Sequence, residues 1–491
     1  MGLISVSLSG GTPPVVPPVE GDHDGPVAAL RHLLGSLDDP PVALVAGTVG
    51  GSGAVGTARC AAVGISPLSG GVAETRAEGP FAAGLRAAGV TGIVLYGRAP
   101  APSVVVIHDG AARIEPAGDV WGLETGPATS RLLERYGTSA AVAVIGPAGE
   151  RGVPYASVVT CRHHPLPRLG FGAVLGARNV KAVVCVGSST PRVSSPAAVA
   201  AIGAAYARDA ATNPLSAWQH GLPGFGVWSG EPGYAPVDDF TDTTRGFTAP
   251  PPPGPATVAA CPGCPTDCIK VHAGAGLHQE ALAALGGDWS KLRGHEQQGT
   301  DPVSATGTQT VNGVAVPPFD PRVQPNLGLA YAVAPIGPRY DIIEHDLDFD
   351  PTDGLPLAYP EMQRLGVTVP RPRGELDVWR TAQLMRLWSG LDALSVCLFA
   401  ATPTRPLTLT TVENLVEAVT GHRPDVLALG ATRLRLQHEV NQRLGVRPGH
   451  LPDLFFTAPI QSGKYAGAVL DRPSFEAAAS ALRKELQIPE H

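Results

Sequence analysis

The stretch Gly92-Ile-Val-Leu-Tyr-Gly-Arg-Ala-Pro-Ala-Pro-Ser-Val-Val-Val-Ile107 holds two short apolar runs divided by a turn of glycine and proline. Runs this short, rich in Val and Ile and bounded by turn residues, favour strands over helices. The same texture recurs in Val42-Ala-Leu-Val-Ala46, Ala141-Val-Ala-Val-Ile145 and Lys181-Ala-Val-Val-Cys-Val186. Helical patterns interrupt it near 27–36, 80–88 and 126–136. Residues 1–195 therefore read as a β-rich N-terminal domain.

From Ser195 the texture changes. Pro196-Ala-Ala-Val-Ala-Ala-Ile-Gly-Ala-Ala-Tyr206 is a helix pattern, and Pro250-Pro-Pro-Pro-Gly-Pro255 is a stiff connector. Val412, Leu415, Val416 and Val419 mark a helix face that Gly421 ends. Leu434, Val440 and Leu444 predict another helix before Gly445, and Phe475 to Leu486 a last one. The expected architecture is α+β. The β-rich domain is followed by a shortened helical domain over 196–310 and a C-terminal helical domain over 311–491.

The 491 residues are 44% hydrophobic and 16% charged, which supports a large core and argues against a disordered chain. A net charge of −7 without a basic stripe argues against nucleic acid. The N-terminus lacks a basic n-region and a long apolar segment, so neither a signal peptide nor a membrane span is expected. Seven cysteines without a disulfide framework fit a reducing cytoplasm. Cys60, Cys161 and Cys185 lie in mostly apolar runs and read as buried free thiols.

The other four cysteines carry chemistry. Cys261-Pro-Gly-Cys264-Pro-Thr-Asp-Cys268 is C-x2-C-x3-C, and Leu394-Ser-Val-Cys397 offers a remote fourth ligand. A [4Fe–4S] cluster takes four thiolates, whereas structural zinc is usually held by two separated pairs. The tight triplet plus one remote cysteine favours the cluster. A zinc knot, or a set of buried thiols, is the alternative.

Five segments, in order, resemble the tungsten-containing aldehyde ferredoxin oxidoreductase family. They are Ser66-Pro-Leu-Ser-Gly-Gly71 with Glu78 to Ala99; Ile145-Gly-Pro-Ala-Gly-Glu150; Arg168-Leu-Gly-Phe-Gly-Ala-Val-Leu-Gly-Ala-Arg-Asn-Val-Lys-Ala182; the cysteine triplet with Asp392-Ala-Leu-Ser-Val-Cys397; and Pro318-Phe-Asp-Pro-Arg322 with Leu329 to Ala334. The resemblance implies a tungsten or molybdenum ion held by two pterins, lying between the β domain and two helical domains. It also implies a nearby [4Fe–4S] cluster on Cys261, Cys264, Cys268 and Cys397. An aldehyde, small or carrier-linked, would be oxidised to a carboxylic acid. Electrons would pass to ferredoxin or another low-potential carrier. The family includes monomers and dimers, which leaves a homodimer open.

The resemblance also assigns residues. Asp392 matches the aspartate of a pterin-binding D-x-x-G-L-C, with Ser395 and Val396 replacing Gly and Leu. Arg168, Gly170, Gly172 and Ala173 fall in a glycine-rich loop expected to approach the pterin phosphates, with Gly176 and Arg178 beside it. Arg76 and Glu78 stand where the family has an Asn-x-Gly beside those phosphates and their magnesium; arginine there would substitute for the ion. Glu280, after His278, and Asp341 are the expected proton acceptors, with pKa values raised by a water-poor pocket. The first D-x-x-G-L-D copy, which grips the second pterin, is not found. A non-catalytic electron-transfer or partner-binding subunit is therefore the alternative function.

Overall fold

The computed structural model describes residues 1–16, 25–213, 232–233, 236–248, 250–272, 275–276, 279–350, 359–367, 374–401 and 405–488. The fold is α+β, with β-rich structure first and helical structure after it. One mixed sheet holds β1 (Leu3–Ser7), β2 (Val42–Val45), β3 (Arg59–Ile65), β4 (Val72–Glu78) and β5 (Gly92–Tyr96) in the order β1-β5-β2-β3-β4. The second holds β6 (Ser103–His108), β7 (Ala111–Pro116), β8 (Ala141–Ile145), β9 (Val158–Thr160), β10 (His164–Leu166) and β11 (Val180–Val186). Its order is β10-β9-β8-β11-β6-β7. The two strands of the 92–107 stretch thus belong to different sheets, and its Gly-Pro turn is the crossover between them.

Alternation decides what each face of the second sheet meets. Val104, Val106, Val142, Val144, Ala182 and Val184 pack with Ala128 and Leu132 of the helix Thr125–Tyr136. Their neighbours Val105, Ile107, Ala143, Ile145, Val183 and Cys185 face the main core. The helices Phe81–Ala87 and Phe171–Ala177 touch strands of both sheets.

Past Ser195, whose side chain caps the helix Pro196–Ala210, the described chain is not purely helical. Three short strands, β12 (Ala256–Val258), β13 (Lys270–His272) and β14 (Ala275–Gly276), form a small sheet there. The cysteine triplet is the loop between β12 and β13. Strands this short carry too little periodicity to be read from sequence.

The C-terminal helices follow the sequence pattern. Leu409–Thr420 ends at Gly421, which has φ 84°, and Val426–Arg443 ends before Gly445. The helix Val378–Leu394, capped by Asp377, crosses Val426–Arg443 closely. A Cβ on Gly430 would lie 1.8 Å from the Arg386 carbonyl oxygen, so this crossing admits only glycine. Among the described residues no helix is long and apolar enough to cross a membrane.

Candidate redox centre

The cysteine loop is seated by a glycine. Gly263 has φ 75°, and a Cβ there would lie 2.1 Å from the Gly53 carbonyl oxygen. Only glycine allows the loop to lie this close to the 53–54 backbone. The Cys264 N–H closes a turn onto the Cys261 carbonyl at 3.2 Å. Cys397 arrives from the other side, just past the helix Val378–Leu394. That helix ends on Ser395, at φ 63°, a conformation that favours glycine. Ser395 Oγ accepts the Gly47 N–H at 2.7 Å, which ties this end to the N-terminal domain. The Cys397 N–H then reaches the Gly56 carbonyl at 2.7 Å.

All four thiols are free and half-buried. They act on one another electrostatically: Cys261 feels Cys268 and Cys264, and Cys397 feels Cys268 and Cys261. Burial first, and these neighbours second, push the Cys268 thiol up to about 12. Among the described residues no three His, Cys, Asp or Glu groups are close enough to hold a single metal ion.

Behind the cysteines lies a seam of buried charge. Glu74, Arg76 and Glu78 alternate along β4 and share one face, and Arg59 on β3 pairs in register with Glu78. That face meets the helices Val378–Leu394 and Val426–Arg443. Arg59 lies 3.0 Å from Glu78, 2.8 Å from Asp392 and 3.4 Å from Asp341. Arg76 also contacts Asp392 directly. Arg433 grips Glu74 at 2.5 and 3.0 Å, and Gln437 adds a bond to Glu74 at 3.0 Å. Arg339 holds Asp341 at 2.8 Å. Four arginines and four carboxylates therefore pair across the domain boundary. Arg59, Arg433 and Glu74 were not singled out in the sequence. The alternating Glu-Thr-Arg-Ala-Glu of residues 74–78 was the available signal.

The expected site residues divide. Arg76, Asp341 and Asp392 come together in this seam, next to Cys397. Arg168 is buried, and its guanidinium donates to the backbone carbonyls of Ala315 and Pro338. Gly170 and Gly172 face protein backbone: Cβ atoms there would lie 2.2 Å from the Pro154 oxygen and 2.7 Å from the Ser157 oxygen. Ala173 packs with Ala148 and Ala156. In this structure the glycines serve close packing of the helix Phe171–Ala177. Glu280 is the second residue of the helix Gln279–Ala284, but its side chain lies outside the described residues, as does all of His278.

Asp341 corrects one expectation. Burial alone would raise its pKa, but the facing Arg339, Arg76 and Arg59 hold it far below the usual carboxylate range. It stays ionised at neutral pH and is a poor proton acceptor. Glu344 behaves in the opposite way. Burial raises it to about 7, against the pull of Arg405 at 3.1 Å, and Asp348 beside it adds to the rise. Sequence showed it only as part of the run Glu344-His345-Asp346. His345 donates from Nε2 to the Tyr340 carbonyl at 2.8 Å and meets the edge of Phe319, and burial lowers its pKa.

A raised folded pKa means that Glu344 binds its proton more tightly in the folded chain. Its contribution to stability is complete below about 4.5 and is lost as pH rises through about 7. Glu344→Gln should therefore flatten the fall in urea midpoint between acid and alkaline buffers. A variant that tracked the wild-type slope would show that Glu344 titrates normally.

The sequence pattern of "Aldehyde ferredoxin oxidoreductase, N-terminal domain" matches residues 36–187. That of "Aldehyde ferredoxin oxidoreductase, domains 2 & 3" matches residues 293–485. Together they span well over half of the chain, in order. The chain belongs to the aldehyde ferredoxin oxidoreductase family. The tungsten-containing aldehyde ferredoxin oxidoreductase of Pyrococcus furiosus is 33% identical over 171 residues, which is 33% of this chain and 28% of that relative. The enzyme of the same name from Pyrococcus abyssi is 38% identical over 130 residues, 26% of this chain and 21% of that relative. The matched stretches thus span well under a third of these relatives' length. A solved structure, the active site complex BamBC of Benzoyl Coenzyme A reductase in complex with 1,5 Dienoyl-CoA, shares the fold. It superposes with a TM-score of 0.73 at 16% identity, over 99% of this chain and 94% of that one.

Proposed function

We propose that this chain is an oxidoreductase of the aldehyde ferredoxin oxidoreductase type. Its one-electron centre would be a [4Fe–4S] cluster on Cys261, Cys264, Cys268 and Cys397. The observation that supports this is that the triplet loop, through Gly263, and Cys397, through its N–H, are both seated on the 53–56 backbone, with all four thiols free. The donor set fits the cluster. Ferredoxin or a similar low-potential carrier would take the electrons, and a reducing cytoplasm would suit the free thiols.

Family membership and the relatives' names support an aldehyde as the electron donor. Aldehyde and water would give a carboxylic acid, two protons and two electrons. A tungsten or molybdenum bis-pterin, when bound, supplies the two-electron step of such a reaction. For that group the fit is partial. Arg76 has buried Nε and Nη1 donors without a hydrogen-bond acceptor among the described residues, which suits an anionic phosphate and makes magnesium unnecessary. Asp392 would accept pterin N–H groups, but Arg59 and Arg76 already occupy its oxygens. Arg168, Gly170, Gly172 and Ala173 would support the pterin loop from behind. Glu280 is the acceptor we propose for the aldehyde-derived proton, since Asp341 is held ionised by its arginines.

The alternative, a non-catalytic electron-transfer or partner-binding subunit, is favoured by one observation: the seam pairs its own charges. Iron, tungsten, molybdenum and pterin content of anaerobically purified protein separates the two, with aldehyde-dependent reduction of a low-potential dye. Tungsten or molybdenum with pterin supports the aldehyde enzyme; iron alone supports the subunit. If pterin is present, Asp392→Ala should lower its occupancy and leave iron unchanged. Loss of a charged hydrogen bond costs about 1.5–3 kcal/mol. Full pterin in that variant would remove Asp392 from the site.

A further inference from the structure

Glu78 has no part in ligating iron or in moving protons, yet the fold places it at the floor of the cysteine site. It is the last residue of β4, the edge strand of its sheet, and register fixes it opposite Arg59. Gly79 follows, with its N–H on the Ala58 carbonyl at 2.8 Å and its α-carbon against the His164 ring. The carboxylate therefore cannot swing away with a loose loop. Arg59, 3.0 Å from Glu78, donates to the carbonyl of Val396 at 3.3 Å, so the Glu78–Arg59 pair borders the residue just before Cys397. Glu78 acts electrostatically on Cys261, Cys268 and Cys397, three of the four, and these lie on both sides of the site.

The charge at Glu78 is only partly offset. Its ion pair is with Arg59, and that guanidinium is shared with Asp392 and Asp341. Asp341 has Arg339 as well, and Asp392 has Arg76. Lys270, the cation nearest Cys268 on the small sheet, is paired with Asp267 at 3.1 Å. One carboxylate thus faces the thiols with a fraction of one arginine against it. In a site of low dielectric, a fixed negative charge opposes the arrival of an electron.

We propose that Glu78 is a positioning residue that lowers the reduction potential of the cluster and so matches it to a low-potential carrier. This rests on the cluster reading and holds with or without a pterin. The potentials of iron–sulfur clusters respond to nearby charge and exposure.

The test uses the full chain with its cluster assembled anaerobically. Iron content, the electron paramagnetic resonance signal of the reduced cluster and the midpoint potential from a dye-mediated titration are measured for wild type, Glu78→Gln, Glu78→Ser and Glu78→Asp. Both neutral variants should keep the iron and the signal. Their potential should rise, with the reduced-to-oxidised ratio at a fixed potential about tenfold higher, or about 59 mV for a one-electron couple. Glu78→Asp should hold the wild-type value. Unmoved potentials in the neutral variants would overturn the proposal. So would loss of iron from both, which would make Glu78 a structural support. A wild type without iron sinks the cluster reading instead.

Discussion

Cys264→Ala should strip the protein of its iron. Wild type purified without oxygen should carry about four irons per chain, because a cubane takes one thiolate at each of four irons. Cys264 sits at the centre of the triplet loop, half-buried and against the main core. No spare cysteine is available to replace it: Cys60 and Cys185 are buried in the β domain, and Cys161 lies beside them. Iron analysis and the visible absorbance of the cluster measure the loss. The fold should survive, because strands and C-terminal helices build the main core together and Cys264 only packs against its edge. Stoichiometric zinc in the wild type, with no iron, would overturn the cluster.

Glu74→Ala should be among the most destabilising single changes in the chain. Glu74 is fully buried and accepts from Arg433 and Gln437. Its removal leaves the Arg433 guanidinium in the core with only the more distant Asp392, at 3.6 Å, and the Ser389 hydroxyl. Breaking one side of a buried ion pair costs about 3–5 kcal/mol. Urea denaturation followed by circular dichroism should show a large drop in midpoint. The double variant Glu74→Leu with Arg433→Met should recover much of the loss, since apolar residues of similar volume often replace a buried pair at little cost. A double variant no better than the single one would mean that Arg433 is bound to the rest of the seam by more than Glu74.

Local pattern was legible where a short segment carries the decision. Strands such as Ala141–Ile145 and Val180–Val186 are buried on both faces, so they read as continuous apolar runs. The helix ends at Gly421 and Gly445 were visible because only glycine stops a helix in a left-handed turn at little cost. The sheet between β12 and β14 was not legible, since two or three residues make no period. The seam escaped for a different reason. A charged residue in sequence is taken as solvated, yet Arg59 and Glu74 are buried because partners far away in the chain neutralise them.

By itself the sequence determined the α+β order of the chain and the family to which it belongs. Those follow from side-chain chemistry and spacing that no fold can alter. Tertiary structure alone decided which groups face one another. It brought Cys397 to the triplet and placed Glu78 beneath them. It turned Asp341 from an expected base into a fixed anion by surrounding it with arginines, and left Glu344 near neutrality by burying it. Proton affinity depends on burial and on charges from remote elements, and these exist only once the chain has folded.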